Sequence, residues 1–372
     1  MDALIPRGRR RSLNECGYPL PAAGGPRLKG VILAAGLGTR MRPLTHRRPK
    51  PLVPVLDRPM IEHIVVGAAD AGVTELLIVI GYRGEMVRET LGGGQRFGLR
   101  IEYALQEKPA GTGDATLMAE EFIAGEPFFL SWGDIIVSRR NYARIGEIWR
   151  TERPDLLLSL NWVEDPWEGA AVYVEDRRVV RIIEKPPQGT STTNYNNAGI
   201  FVLPGEILEA TKEIDLSARG ERELPDAIQL MLSRGAVVRG VPIEGCWSDV
   251  ARPAEVIRLN GALLGEPEYP DASLCADSAR IGLGVLRRAP YLLGAEVSIA
   301  EGAIIGPSAF VLHEARLLEG ARLSHSLVLP SAVVEEGCEL EWTIVEERAS
   351  VPAGTRSIGT PNAPAFVGAD CD

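Results

Sequence analysis

Several common kinds of protein chemistry are missing from this 372-residue chain. Its five cysteines, at 16, 246, 275, 338 and 371, are scattered without a CxxC pair. That spacing offers no zinc site and suits a reducing compartment, so a cytoplasmic protein is expected. No run of about 18 apolar residues occurs, which leaves no candidate transmembrane helix. Arg9-Arg10-Arg11 is followed by no apolar segment, so residues 1–27 do not read as a secretory signal; their Gly and Pro content predicts a disordered leader. Basic excess is lacking too. Forty Lys and Arg against fifty Asp and Glu give a net charge of −10, which argues against a general nucleic-acid or membrane-surface role. Two familiar glycine loops are also absent. A P-loop needs GxxxxGK before Ser or Thr, and no such pair follows the first glycines. In the dinucleotide pattern GxGxxG the third glycine position is Met41.

What is present is concentrated between Lys29 and Pro59. The apolar run Val31-Ile32-Leu33-Ala34-Ala35 reads as a buried parallel strand. It stops at the turn Gly36-Leu37-Gly38-Thr39. Arg40, Arg42, Arg47, Arg48 and Lys50 follow, with prolines at 43, 49 and 51. Glycines let backbone N–H groups approach a phosphate, and fixed cations balance its charge, so this is a loop for a polyphosphate. On an acidic protein it is a local site for a small anionic ligand. Residues 34–54 run Ala-Ala-Gly-Leu-Gly-Thr-Arg-Met-Arg-Pro-Leu-Thr, three residues, then Pro-Lys-Pro-Leu-Val-Pro. The string resembles the signature of the sugar-1-phosphate nucleotidylyltransferases, the nucleoside-diphosphate-sugar pyrophosphorylases. Because that motif begins near Lys29, where members often start, a start codon set too far upstream is the alternative account of residues 1–27.

From residue 28 to about 265, strand and helix patterns alternate. Strands are expected at 29–35, 75–80, 100–105, 127–132, 156–163, 170–174, 179–183, 199–203 and 236–243. Helices are expected at 59–71, 84–91, 111–122, 139–152, 205–212, 223–234 and 253–264. This predicts an α/β domain with a Rossmann-like, mostly parallel mixed sheet, the fold of the resembled family, with ligands outside the carboxyl ends of the strands. After about residue 270 the period changes. Apolar pairs two apart recur at steps of six, from Val297/Ile299 through Ala309/Val311 and Leu327/Leu329 to Ala349/Val351, with glycines near the corners. This hexapeptide repeat predicts a short left-handed parallel β-helix of three to four coils over residues 266–358, before a tail at 359–372.

The resemblance implies a reaction in which a sugar-1-phosphate oxygen attacks the α-phosphorus of an NTP and pyrophosphate leaves. Two anions must be aligned and the phosphoryl charge stabilised, which calls for cations, Mg²⁺ and carboxylates to hold it. On the matching motifs, Arg40 and Lys50 are the catalytic cations, and Arg47 and Arg48 are expected as solvated loop charges. Leu33, Ala34, Ala35, Gly36, Gly38 and Thr39 would line the nucleotide. Asp134, in Gly133-Asp134 after an apolar strand, and Asp249, in Trp247-Ser248-Asp249-Val250, would hold Mg²⁺; hard oxygen ligands suit that ion. Glu184 and Lys185 of an EKP tripeptide, Gly169 and Asn197 would meet the sugar phosphate. Two departures stand out: Ala251 replaces a usual glycine, and Glu168 a usual tyrosine. Gln106, with Gly111 and Thr112, would meet the base. A primary amide can face thymine, uracil, guanine or adenine, so Gln106 excludes none. Overall likeness favours a pyrimidine, and glucose-1-phosphate with dTTP or UTP over mannose-1-phosphate with GTP. A catalytically dead paralogue would have lost one of Arg40, Lys50, Asp134, Lys185 or Asp249, and none is lost. The β-helix holds only His313 and His325 and few coils, too little for an acyltransferase site. It is expected to serve assembly as a homo-oligomer, its histidines exposed at coil corners.

Overall fold

In the computed structural model, residues 28–108, 110–269 and 271–368 are described; the expected leader at 1–27 lies outside them. Strand β1 (Leu28–Ala34) is followed by a small hairpin, β2 (Pro54–Val55) and β3 (Arg58–Pro59). The chain continues through α1 (Met60–Asp70), β4 (Val73–Ile80), α2 (Gly84–Leu91), β5 (Arg100–Leu105), α3 (Thr112–Leu117), α4 (Glu120–Ile123) and β6 (Phe128–Trp132). Next come β7 (Ile135–Val137), α5 (Arg140–Glu152), β8 (Leu156–Trp162), β9 (Ala170–Glu175), β10 (Arg178–Glu184) and β11 (Tyr195–Leu203). Helices α6 (Ile207–Glu213) and α7 (Leu224–Ser233), strands β12 (Val238–Pro242) and β13 (Trp247–Asp249), and helix α8 (Pro253–Leu263) complete this part.

Nine of these strands form one sheet in the order β5-β4-β1-β6-β11-β8-β12-β10-β9. Strands β10 and β11 run against the other seven. The expected mostly parallel, mixed sheet is therefore present. Its faces pack two apolar layers: Ile32, Ile78 and Phe129 on one side, Val31, Val79 and Leu130 on the other. A strand covered on both faces reads as a continuous apolar run, which is why β1 and β4 were legible. The helix expected at 111–122 is two short ones. At Ala119 the backbone N–H bonds Thr116 O, three residues back, and this tighter turn ends α3.

Three short parallel sheets follow, of six, five and five strands, wound as a left-handed β-helix. It differs from the expected one in three respects. It begins at Ser273–Cys275 and closes five coils rather than three or four. Its first coil was hidden because Arg287 occupies a strand position that the next coils fill with Ile305, Leu323 and Leu340. Its last strand, Ala365–Val367, pairs with Thr343–Val345, so the stack continues into the expected tail. Third, Leu327 and Leu329 do not point inward; Val328 does. The coil repeat is 18 residues as far as Ile304↔Arg322, 17 from Ala309↔Ser326 to Glu339↔Arg356, and 22 at the last pairing, Thr343↔Ala365. The lost residue shifts the inward set by one.

The first of the three sheets has two apolar faces. Leu293, Val311, Val328 and Val345 fill the coil interior. Between them Leu292, Phe310, Leu327 and Ile344 form a ladder on the outside and join the core of the α/β part. Gly261 of α8 comes close enough that a Cβ there would sit 3.8 Å from the Phe310 ring. The two parts thus share one core, and should unfold together. Phe310→Ala, which opens a cavity at this junction, is expected to cost about 3–5 kcal/mol and lower both tryptophan fluorescence and circular dichroism midpoints in a single shared transition. Two separated transitions in urea would show that the parts are independent.

Candidate active site

At the carboxyl end of β1 the chain turns sharply through Gly36 and Gly38. Gly38 has φ +63°, and a Cβ there would lie 3.0 Å from Lys50 Cβ and 3.2 Å from Thr45 Cγ2, so both conformation and space require glycine. Thr45 Oγ1 donates to Gly38 O at 2.9 Å and closes the loop on itself. Met41 is fully buried and anchors the turn that carries Thr39 and Arg40 outward. Next door, Gly133 N donates to Leu33 O at 2.9 Å, joining the ends of β1 and β6.

Beyond Gly133, an element the sequence reading did not anticipate brings two distant carboxylates together. Strands β7 and β13 form an antiparallel ladder with Asp249 opposite Ile135, and Val250 N donates to Asp134 O at 3.1 Å. Asp134 and Asp249 are therefore side by side although 115 residues apart in sequence. Lys50 is buried, and its Nζ lies 2.6 Å from Asp134 Oδ2 and 3.9 Å from Asp249 Oδ1. Burial, then the charge of Asp134, push the Asp249 carboxyl up to about 6. Its Oδ1 has no hydrogen-bond partner among the described residues. Two adjacent carboxylates, one under-satisfied, fit a divalent cation of the Mg²⁺ type, which takes one or two carboxylates and completes its shell with water and phosphate oxygens. Ala251 has no left-handed φ, so its replacement of glycine brings no strain. Its N–H and that of Arg252 donate to Glu255 Oε2, capping α8.

These groups open onto a cavity of about 760 Å³. Leu33, Ala35, Gly36, Arg40, Gln106, Gly111, Thr112, Asp134, Gly169, Glu184, Lys185, Asn197 and Asp249 line it. Ala34, Gly38, Thr39 and Lys50 do not. Ala34 is turned into the core, and Lys50 reaches the site from behind through its carboxylate partners. Thr112 has a structural task as well: its Oγ1 accepts from Leu224 N and holds the start of α7. Gly111, at φ +101°, leaves no room for a Cβ against Arg222 O. At the opposite wall Lys185 N donates to Gly169 O at 2.9 Å, and Glu184 is pushed up to about 7 by burial and then by the charge of Glu223. Asn197 Oδ1 accepts from Gly199 N, and its buried Nδ2 has no hydrogen-bond partner among the described residues. Gly169 accommodates Asn196, whose Nδ2 would be 3.1 Å from an added Cβ.

Sequence reading missed three features. Arg219 lines the cavity, bonded to Glu223 and 3.7 Å from Glu184. It was hidden in a run of alternating charges, residues 219–223. Trp132 and Trp167 also line the cavity, and the Trp132 indole N–H is buried without a partner among the described residues. A correction concerns Arg48. It is not a solvated loop charge: it is buried, and its Nη2 lies 3.1 Å from Glu347 and 3.5 Å from Glu346 of the β-helix. Arg47 is exposed. His325 does sit at a coil corner, φ +47°, stacked on Trp342. His313 also sits in an exposed coil-corner turn, and there the Asp57 carboxylate accepts from its ring and its backbone N–H, a bond that raises its pKa.

The family described as "Nucleotidyl transferase" matches residues 29–265. A glucose-1-phosphate thymidylyltransferase of Streptomyces antibioticus is 30% identical over 91% of this chain and 97% of its own length, so the likeness includes β-helical coils. The low-salt glycan biosynthesis nucleotidyltransferase Agl11 of Haloferax volcanii is 31% identical over 68% of this chain and 71% of its own. The bifunctional protein GlmU of Methanococcus maripaludis is 33% identical over 64% of this chain and 55% of its own. Among solved structures, a Bacillus anthracis chain assigned as a glucose-1-phosphate thymidylyltransferase superposes with TM-score 0.58 at 30% identity, covering 63% of this chain and 94% of that one.

The carboxylate pair carries a stability cost. An unfolded aspartate titrates near 3.9, whereas Asp249 in the fold titrates at about 6. The folded state therefore binds the proton more tightly, and stability falls as pH rises between these values, with the full penalty above 6. Asp249 keeps 44% of its side chain accessible from the cavity, so solvent screens part of the effect. Without divalent metal at pH 7.5, Asp249→Asn is expected to raise Tm by about 1–3 °C, with the gain disappearing at pH 4. An unchanged or lower Tm at pH 7.5 would contradict this.

Proposed function

The chain belongs to the nucleotidyl transferase family, and on that premise we propose that it joins glucose-1-phosphate to dTTP or UTP, releasing pyrophosphate and an NDP-sugar. Sugar-1-phosphate nucleotidyl transfer as a class follows from the family and from relatives that match along most of the chain. The observation that carries the residue assignment is Lys50 between Asp134 and Asp249, at the edge of a cavity with Arg40 on the near wall and Lys185 on the far wall. A site for two anions needs separated cations, one set for each phosphate.

In this reading Arg40 forks onto the triphosphate, and Lys50 supplies charge beside the α-phosphoryl group. Lys185 and Arg219 hold the phosphate of the sugar. Its oxygen forms the new bond to the α-phosphorus, and the bond from that phosphorus to the bridging oxygen breaks, so pyrophosphate leaves with the electron pair. A divalent ion held by Asp134 and Asp249, proposed as Mg²⁺, would neutralise phosphate charge. Asn197 Nδ2 presents a donor to a sugar hydroxyl. Glu184, titrating near neutrality, can either donate or accept there. Gln106 and Gly111 bound the base end. The relatives named for glycan biosynthesis and as a bifunctional protein widen the sugar panel beyond glucose.

Pyrophosphate release, measured with dTTP, UTP, GTP, ATP and CTP against several sugar-1-phosphates, tests the proposal. The highest kcat/KM is expected for a pyrimidine triphosphate with glucose-1-phosphate, and a purine preference would overturn the base assignment. Asp134→Asn should fold normally and lose about 10²–10³ in kcat, the usual cost of one stabilising contact. Near-normal turnover in that variant would remove the metal assignment.

We further propose that copies associate through the β-helix. Helix α8 covers only the first of its three sheets, and the first coil leaves Ile281, Leu283 and Leu286 exposed. Light scattering at micromolar concentration is expected to report an oligomer, and a monomer there would remove the assembly role.

A further inference from the structure

We propose that the β-helix positions the catalytic loop, through a partly buried ion cluster in which Glu346 and Glu347 hold Arg48 so that Lys50 keeps its place behind Asp134 and Asp249, beside the reacting phosphate. This rests on the catalytic reading of Lys50 given above. Arg48 is separated from Lys50 by Pro49 alone, whose ring fixes φ, here −70°. Lys50, Pro51 and Leu52 then form a single tight turn. A displacement at Arg48 is therefore passed to Lys50 with little slack.

The clamp is built into both parts. Arg48 and Glu346 are both nearly inaccessible, at 7% and 5%. Glu346 directly follows the strand Thr343–Val345 of the outward apolar ladder, and its N–H donates to Val367 O. Its Oε1 has no partner among the described residues, so Arg48 carries most of its compensation. Glu347 also meets Arg348 at 3.6 Å. The far end of the same loop is held too. Leu56 N donates to Asn260 Oδ1 of α8 at 2.7 Å, and Asp57 accepts from His313 of the β-helix. The Lys50 segment is thus pinned at both ends to elements outside the nucleotide-binding sheet. Burying an arginine and a carboxylate is costly and adds little to stability where apolar packing would serve. Placing a charge within a fraction of an ångström is a task that apolar packing alone does not perform.

The test uses full-length protein with whichever NTP and sugar-1-phosphate turn over best. Glu346→Gln with Glu347→Gln preserves volume and removes both charges. It is expected to lower kcat by about 10–100-fold while each KM changes less than about twofold, because misplacement by about 1 Å is felt in the transition state. In a Lys50→Ala background the same pair should have little further effect, since the coupling runs through Lys50. Arg258→Ala, which removes contacts to Pro361 O and Asn362 Oδ1 elsewhere on the same interface, is expected to leave kcat unchanged. If the glutamine pair does not fold, Glu347→Gln alone, at the more accessible end, should show a smaller fall with the same dependence on Lys50. Equal losses with and without Lys50, or a kcat untouched by the glutamine changes while Lys50→Ala lowers it, would overturn the clamp alone. A kcat unaltered by Lys50→Ala would overturn the catalytic reading of Lys50 and the clamp with it.

Discussion

Two aspartates held side by side at the edge of a cavity are the constraint around which this molecule is organised. Adjacent like charges repel, and such a pair is not left uncompensated in a fold of ordinary stability. Two devices hold Asp134 and Asp249 together. The ladder of β7 and β13 fixes their backbones, and the buried Lys50 ammonium offsets part of their charge. The ladder does not belong to the nine-stranded sheet. It rises beyond the carboxyl end of β6, where the parallel strands stop and ligands can enter. Burial and, after it, the remaining repulsion from Asp134 raise the affinity of Asp249 for a proton, and the same two carboxylates are receptive to a divalent cation.

How much of this could be read from the sequence follows the physical range of each signal. Strands buried on both faces and helices with one apolar stripe are local patterns. Accordingly β1, β4, β6 and α1 were legible within a residue or two. Residues carried by a contiguous motif were legible as well: Arg40, Lys50 and the Gly133-Asp134 pair could be picked out without a structure, and the fold brings them to one cavity edge. Long-range pairings could not. Strands β7 and β13 have three residues each, and neither has a pattern until the other lies beside it. Arg219 carries no motif of its own, and only the fold brings it to Glu184.

The β-helix shows the same limit in another form. Its hexad marks which residues point inward, and this revealed the repeat. The outward ladder of Leu292, Phe310, Leu327 and Ile344 recurs only once per coil, at steps of 18, then 17 and 17 residues. A search for period six counts these residues as noise, or, at Leu327, takes one for an interior position. Yet this sparser pattern says that one face of the β-helix is covered, and by something apolar. The covering element proves to be the chain's own α8 and the hairpin of β2 and β3, within a single core.

That shared core alters the meaning of the glycine loop. Glycine at 36 and 38 lets the backbone approach a phosphate, but it also leaves the loop with many conformations to lose on ordering. A loop of that kind needs restraint from elsewhere. Prolines at 49 and 51 restrict the segment locally, and Thr45 closes it on Gly38. Local restraint still leaves the whole segment free to pivot about its two ends. The hairpin turn at Leu56 and Asp57, with φ +48° and +62°, adopts a conformation seldom met outside glycine and asparagine. Asn260 and His313 hold it in that shape, from α8 and the β-helix respectively. The nucleotide-binding sheet provides the cavity, but the geometry of the cation at its edge is defined by residues that follow it in the chain by about 200 to 300 positions.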